Sequence, residues 1–258
     1  MVEDGSGRGI ERMRSFLVLL ATLGTIGFNW LAAVGRINGV TPEMVSNAYP
    51  TPITPAGYAF AIWSLIYFGL IAFSIYQMMP SNLERFRNVR SLYILSCALN
   101  CAWIYFWHNG QIAICLAIIA ALCVTLFFIN YRLRPSDSAL ENLIPKGTFG
   151  IYFGWVTAAT LVNFAVMLVY LRVTLSNSAN TWLAVGLILL AAALGVLMRV
   201  LYQNFFYPLA IAWALTAIAV KQSGNTLPVT AAAVGVVACL IAAISVVMTL
   251  NSSTSEQR

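Results

Sequence analysis

Aromatic rings and uncharged amides recur at helical spacing in three apolar stretches of the sequence. Trp63 and Tyr67 lie four residues apart, and Asn100 and Trp103 lie three apart, so each pair shares one face of a helix. Aromatic walls with a few uncharged hydrogen-bonding groups are typical of pockets for flat, largely apolar ligands. The candidate ligand-binding residues are Trp63, Tyr67, Asn100, Trp103, Trp155, Ala159 and Asn163.

Each of these stripes also has a structural interpretation. Tryptophan and tyrosine anchor membrane helices at the two interfaces. Asparagine and serine join neighbouring helices by hydrogen bonds. The ligand-binding interpretation rests on three stripes of the same kind in one chain.

The apolar stretches lack the groups that catalysis and metal binding need. No Asp, Glu, Lys, Arg or His lies at the centre of a predicted helix, and the single histidine, His108, lies at a helix end. There is no Ser-His-Asp set, paired carboxylate or phosphate loop. We therefore predict no catalytic residue, no metal site and no enzyme activity.

The elements that position the candidate residues are membrane helices. The chain is 60% hydrophobic and 9% charged, whereas soluble domains are about 25% charged. A helix needs roughly 20 apolar residues to cross the hydrocarbon core. We predict an all-α integral membrane protein with about eight spanning helices, at residues 15–34, 57–78, 91–107, 111–130, 149–171, 182–200, 205–220 and 227–250.

The basic residues predict the orientation of these helices. Of the fourteen lysines and arginines, Arg36, Arg172 and Lys221 lie on one side and the others on the opposite side. Cytoplasmic loops carry the excess of basic residues, so we expect both termini in the cytoplasm. The net charge of +6 thus reflects topology, and no nucleic-acid partner is predicted. The expected location is the plasma membrane if the chain is bacterial.

A long polar segment, residues 35–56, connects the first two predicted helices. It contains Arg36 and the prolines Pro50, Pro52 and Pro55. Connections of this length are uncommon and are often functional. A simple tether is the alternative interpretation.

Three blocks of residues resemble the TspO/MBR family of tryptophan-rich sensory proteins and translocator proteins. Residues 54–67, TPAGYAFAIWSLIY, resemble the family's PPGWVFGPVWTLLY. Residues 99–103, LNCAW, match its L-N-x-x-W, and residues 155–163, WVTAATLVN, resemble its W-V-x-F-A-x-x-L-N. The blocks occur in the family's order and cover about residues 15–172.

The chain also departs from the family pattern. The family's Gly-Pro before the second-helix tryptophan falls on Phe60 and Ala61, and its Phe-Ala in the fifth helix falls on Ala158 and Ala159. Three further helices have no counterpart in the five-helix family. We therefore predict a TspO-like membrane domain at 1–172 and a three-helix extension at 173–258, which ends in a short polar tail.

The resemblance implies a five-helix bundle that binds tetrapyrroles such as porphyrin or haem, or another flat lipophilic ligand. The candidate residues above would line the cavity. The loop with Arg36, Pro50, Pro52 and Pro55 would cover it, and Arg36 would lie near the ligand's propionates. The ligand would serve sensing, transport or turnover, and the resemblance leaves porphyrin degradation open.

Two other functions remain open from the sequence. The first alternative is a facilitative transporter of a neutral or lipophilic solute, and the second is an assembly factor that binds another membrane protein. The expected partners are the lipid bilayer, a small lipophilic ligand and, by family resemblance, a second copy of the chain.

Overall fold

Helices form all of the regular structure in the residues that the structure describes. The structure, a computed structural model, describes the backbone of residues 3–133 and 138–255 and the side chains of residues 8–133 and 138–245. The predicted all-α class is confirmed. The helices are α1 (Glu3–Ala33), α2 (Pro42–Ala48), α3 (Ile62–Tyr76), α4 (Arg87–His108), α5 (Ile112–Arg132), α6 (Ala139–Glu141), α7 (Thr148–Tyr170), α8 (Asn177–Tyr202), α9 (Phe206–Lys221) and α10 (Thr226–Ser255).

Seven helical segments within the described residues are long and apolar enough to cross a membrane. The remaining apolar helix, α9, has 16 residues and therefore rises only about 24 Å. The hydrocarbon core of a bilayer is about 30 Å thick. The exact count of eight spanning helices is thus not confirmed, although a helix does form at the predicted position 205–220.

The chain divides into two compact units. The first unit comprises Met1–Ala48 and Ile62–Phe149, and the second comprises Tyr49–Ala61 and Gly150–Arg258. Segment 49–61 belongs to the second unit because its backbone bonds to α9, as in the 3.0 Å contact from the Ala56 amide to the Ala217 carbonyl. The division into domains 1–172 and 173–258 places the boundary elsewhere and stays a prediction.

Within the first unit, α1 packs against α3 and α4. The buried face of α1 recurs every three or four residues, and most of its side chains are polar. The opposite face exposes large apolar side chains such as Phe16, Leu20 and Leu23. In lipid, polar side chains on an inner face join helices by hydrogen bonds. The buried face consists of Glu11, Ser15, Val18, Thr22, Thr25, Asn29 and Ala32.

Within the second unit, small residues let the helices approach closely. A Cβ atom on Gly154 of α7 would lie 2.5 Å from the Tyr207 carbonyl of α9. One on Gly235 of α10 would lie 2.7 Å from Leu215 of α9 and 3.0 Å from Ala192 of α8. Small residues allow this approach in membrane helices, so Gly235 packs against helices of the same chain.

Candidate functional site

The predicted ligand-binding residues fall in both units. Trp63, Tyr67, Asn100 and Trp103 belong to the first unit, and Trp155, Ala159 and Asn163 belong to the second. Each group is described within its own unit, and the assignment of a ligand to these residues stays a prediction.

In α3, the rings of Trp63 and Tyr67 stack. Their centroids are 5.5 Å apart and their planes differ by 20°. Both side chains are half-buried. The spacing of four residues places the two rings one above the other along the helix, as the sequence predicts.

A second stacked pair lies in α4. Trp103 and Trp107 have centroids 5.4 Å apart and planes that differ by 22°, and both are buried. The indole N–H of Trp107 donates to the carbonyl oxygen of Pro42 at 3.2 Å. This bond ties α4 to the start of α2 within the loop that follows α1.

The amide of Asn100 is buried in the first unit beside a residue that the sequence reasoning missed. Asn29 of α1 donates from Nδ2 to Asn100 Oδ1 at 2.7 Å, and to the Thr25 carbonyl at 2.9 Å. Both asparagines are at most 5% exposed. The Asn29–Asn100 pair therefore joins α1 to α4 in the interior.

Further along the same face of α1, a hydroxyl cluster continues the polar contacts. Thr22 lies 2.6 Å from the Ser74 hydroxyl of α3 and 2.5 Å from the Tyr93 hydroxyl of α4. All three side chains are buried. Ser15, Thr22, Thr25 and Asn29 follow one another at intervals of seven, three and four residues inside an apolar run, and this spacing is the signal that would have predicted the face.

In the second unit, Trp155 and Asn163 are buried in α7. The Trp155 ring contacts Phe60 edge to face, with centroids 6.1 Å apart. Asn163 donates from Nδ2 to the carbonyl of Ala159, one turn earlier in the same helix, at 2.8 Å. This bond uses the backbone carbonyl of Ala159, so it does not depend on the alanine side chain.

The proline-rich segment of the second unit is held by α9. Gln222 donates from Nε2 to the carbonyls of Thr51 and Thr54 at 3.1 and 3.4 Å. The indole N–H of Trp213 donates to the Ala59 carbonyl at 3.0 Å. The sequence left the role of the three C-terminal helices open, and one of them secures this segment.

A cavity of about 220 Å³ lies between the proline-rich segment and the adjoining ends of α7 and α8. Pro50 and Pro52 line it together with Leu168, Leu183 and Leu187, whereas Pro55 is buried elsewhere in the segment. The cavity is smaller than the 300–1,000 Å³ that is usual for drug-sized ligands. Arg36, the other predicted loop residue, is exposed in the first unit.

The model of one protein family, described as TSPO-like protein, matches the chain over residues 15–248. The match includes the three C-terminal helices as well as α3, α4 and α7, which carry the sequence motifs. Comparisons with curated proteins and with solved structures gave no match.

Proposed function

Since this multi-pass integral membrane protein belongs to the TSPO-like protein family, we propose that it binds a small, flat, lipophilic ligand of the tetrapyrrole class. Two observations support the proposal: the family assignment and the stacked aromatic pairs of α3 and α4. Binding, without a chemical step, is the proposed activity.

The observation that carries the proposal is the stacking of two aromatic pairs in motif-bearing helices. Trp63 with Tyr67, and Trp103 with Trp107, each form two nearly parallel rings. A planar macrocycle gains dispersion and quadrupole interactions from offset stacking on such rings. Asn100, one turn before Trp103, supplies an uncharged polar group on the same face of α4. This combination favours a flat apolar ligand with few polar groups.

The cavity beneath the proline-rich segment is too small to hold the whole ligand. Its volume of about 220 Å³ lies below the 300–1,000 Å³ that is usual for drug-sized ligands. We therefore propose the half-buried Trp63–Tyr67 pair, rather than this cavity, as the surface that contacts the macrocycle.

Titration with protoporphyrin IX tests the proposal. The purified chain in detergent is titrated, and the porphyrin's own Soret absorbance is followed, since the variants change the protein's tryptophan content. We expect saturable binding, weakened about three- to tenfold by Trp63→Leu and by Tyr67→Leu through lost aromatic contact. The matched control is Trp182→Leu, because Trp182 is 60% exposed on α8.

Two outcomes would reject the tetrapyrrole proposal. One is the absence of saturable binding by the wild-type chain. The other is equal weakening by all three leucine substitutions, which would indicate loss of nonspecific apolar surface. Illumination of the bound sample tests turnover, since degradation would bleach the Soret band over time whereas simple binding would preserve it.

A further inference from the structure

Arg199, near the end of α8 in the second unit, is a buried cation without a partner among the residues that the structure describes. The residue is 9% exposed, and its Nε is fully buried with no hydrogen-bond acceptor. None of the ion pairs between described side chains includes it. Burial of a charge without a partner is costly, so Arg199 needs a partner that carries a negative charge.

The packing of α8 places Arg199 beside the start of α9. A Cβ atom on Gly195, one turn before Arg199, would lie 3.6 Å from Ile211 of α9. Because the short turn after α8 sends α9 back along it, one turn further along α8 corresponds to one turn earlier in α9, at about Tyr207. The first turn of a helix carries a partial positive charge. Arg199 and the start of α9 therefore both favour an anion at this position.

The second unit offers Arg199 no carboxylate along the whole length of α10. The sequence contains no acidic residue between positions 142 and 255. A Cβ atom on Gly195 would also lie 2.7 Å from the Cys239 sulfur, so Arg199 lies about one turn beyond Cys239 in the direction of the end of α10. The helix continues from there for about 12 residues, or 18 Å, before the next acidic residue of the chain, Glu256.

The position of Arg199 along α8 corresponds to the membrane interface. The 26 residues of α8 rise about 39 Å, which exceeds the hydrocarbon thickness of about 30 Å, and Arg199 lies three residues before the end. The next two residues, Val200 and Leu201, are 67% and 59% exposed. Since both are apolar, lipid chains contact this end of α8 next to the buried guanidinium.

We propose that Arg199 binds the phosphate of an anionic phospholipid, whose acyl chains lie along Val200 and Leu201. A guanidinium presents its N–H donors in a fork that matches phosphate oxygens. Basic groups between membrane helices at the cytoplasmic side bind lipid headgroups, and the charge rule places the end of α8 on that side. This site does not depend on the proposed tetrapyrrole function.

Native mass spectrometry of the full chain in neutral detergent tests the proposal. Phosphatidylglycerol and phosphatidylcholine with identical acyl chains are titrated, and bound lipids are counted. We expect Arg199→Met to weaken phosphatidylglycerol binding about fivefold, as the loss of one basic residue predicts, and to leave phosphatidylcholine binding unchanged. Lys221→Met, at the exposed end of α9, is the charge-matched control and should bind both lipids as the wild type does.

Thermal unfolding without added lipid separates a lipid site from an internal ion pair. If a carboxylate of this chain paired with Arg199, then Arg199→Met would leave that carboxylate unpaired and lower the unfolding midpoint by several degrees. We expect the midpoint of Arg199→Met to equal or exceed that of the wild type, because the substitution removes an unpaired buried charge. Added phosphatidylglycerol should then raise the midpoint of the wild type more than that of the variant.

A lower midpoint for Arg199→Met in neutral detergent would overturn the proposal, since it would assign Arg199 to a carboxylate of this chain. Equal weakening of phosphatidylglycerol binding by Arg199→Met and Lys221→Met would also overturn it, as would equal weakening of the two lipids by Arg199→Met. Displacement of phosphatidylglycerol by millimolar inorganic phosphate would identify a site for free phosphate and would reject the lipid.

Discussion

At the scale of single residues, Arg90 and Glu11 form a buried ion pair in the first unit. Arg90 is fully buried, Glu11 is 4% exposed, and Arg90 Nη1 donates to Glu11. Arg90 also donates from Nε to Gln77 Oε1 at 2.7 Å. Gln77 in turn donates from Nε2 to the Ser15 carbonyl at 2.9 Å. These bonds join α1, the residue after α3, and α4.

We predict that Glu11→Gln destabilises the protein strongly. The substitution keeps the shape of the side chain but leaves the buried Arg90 charge without its carboxylate. Removal of one partner from a buried ion pair typically costs about 3–5 kcal/mol. Thermal unfolding of the detergent-solubilised protein measures the effect as a large fall in the midpoint.

The control for this prediction is Arg87→Gln. Arg87 contacts the same Glu11 at 3.4 Å, but its side chain is 61% exposed. Exposed ion pairs contribute about 0–1 kcal/mol, so the unfolding midpoint should change little. Similar falls in the unfolding midpoint for the two variants would show that the buried Glu11–Arg90 pair stabilises the fold no more than the exposed Glu11–Arg87 pair.

The contact between Glu11 and Arg90 was not predicted from the sequence. Run length assigned Glu11 and Arg90 to the charged flanks, because an apolar run cannot show where a helix with polar ends begins. The structure starts α1 at Glu3 and α4 at Arg87. Asn100 was identified as a candidate residue from its spacing to Trp103 within one helix. Asn29 was missed because its hydrogen bond to Asn100 depends on which helix packs against α4.

At the scale of elements, α9 determines how the proline-rich segment is held. The amide of Ala56 donates to the Ala217 carbonyl at 3.0 Å, and Trp213 donates to the Ala59 carbonyl at 3.0 Å. The Trp213 ring also contacts Tyr58 edge to face, with centroids 5.3 Å apart. These contacts place part of the C-terminal extension at the segment that the resemblance assigns to cavity closure.

We predict that Trp213→Phe loosens the proline-rich segment while the helices remain intact. Phenylalanine keeps an aromatic ring, smaller than the indole, and removes the indole N–H; one hydrogen bond contributes about 1 kcal/mol. Hydrogen exchange of the amides at 54–60 should therefore accelerate about fivefold, since exchange reports local opening. Exchange in α4 and α5 should stay unchanged.

Trp182→Phe is the matched control, because it makes the same change at an exposed position of α8. Acceleration at 54–60 in both variants would contradict a specific role for Trp213. From its length and prolines, the sequence left two interpretations of this segment, a functional loop and a simple tether. It did not predict the contacts with α9, because neither the loop pattern nor the motifs, which end before residue 172, refer to that helix.

At the scale of the whole molecule, the side of the membrane on which the C-terminus lies depends on whether α9 crosses the membrane. Its 16 residues are short for the hydrocarbon core. Lys221 at its last position is exposed and can extend its ammonium toward the interface. A local thinning of the bilayer also accommodates short helices at modest cost. Both effects favour a helix that crosses the membrane, which would give an even number of spans.

We therefore predict that the two ends of α9 lie on opposite sides of the membrane. Gln203, before α9, follows the basic residue Arg199 and should be cytoplasmic by the charge rule, whereas Ser223, after α9, should face the other side. Both positions are exposed, so Gln203→Cys and Ser223→Cys are suited to labelling with a membrane-impermeant maleimide in cells.

The wild-type chain is the control for the five native cysteines, which are free and either buried or half-buried. We expect Ser223→Cys to react in intact cells and Gln203→Cys to react only after permeabilisation. Reaction of both variants in intact cells, or of neither, would mean that α9 does not cross and that the termini lie on opposite sides.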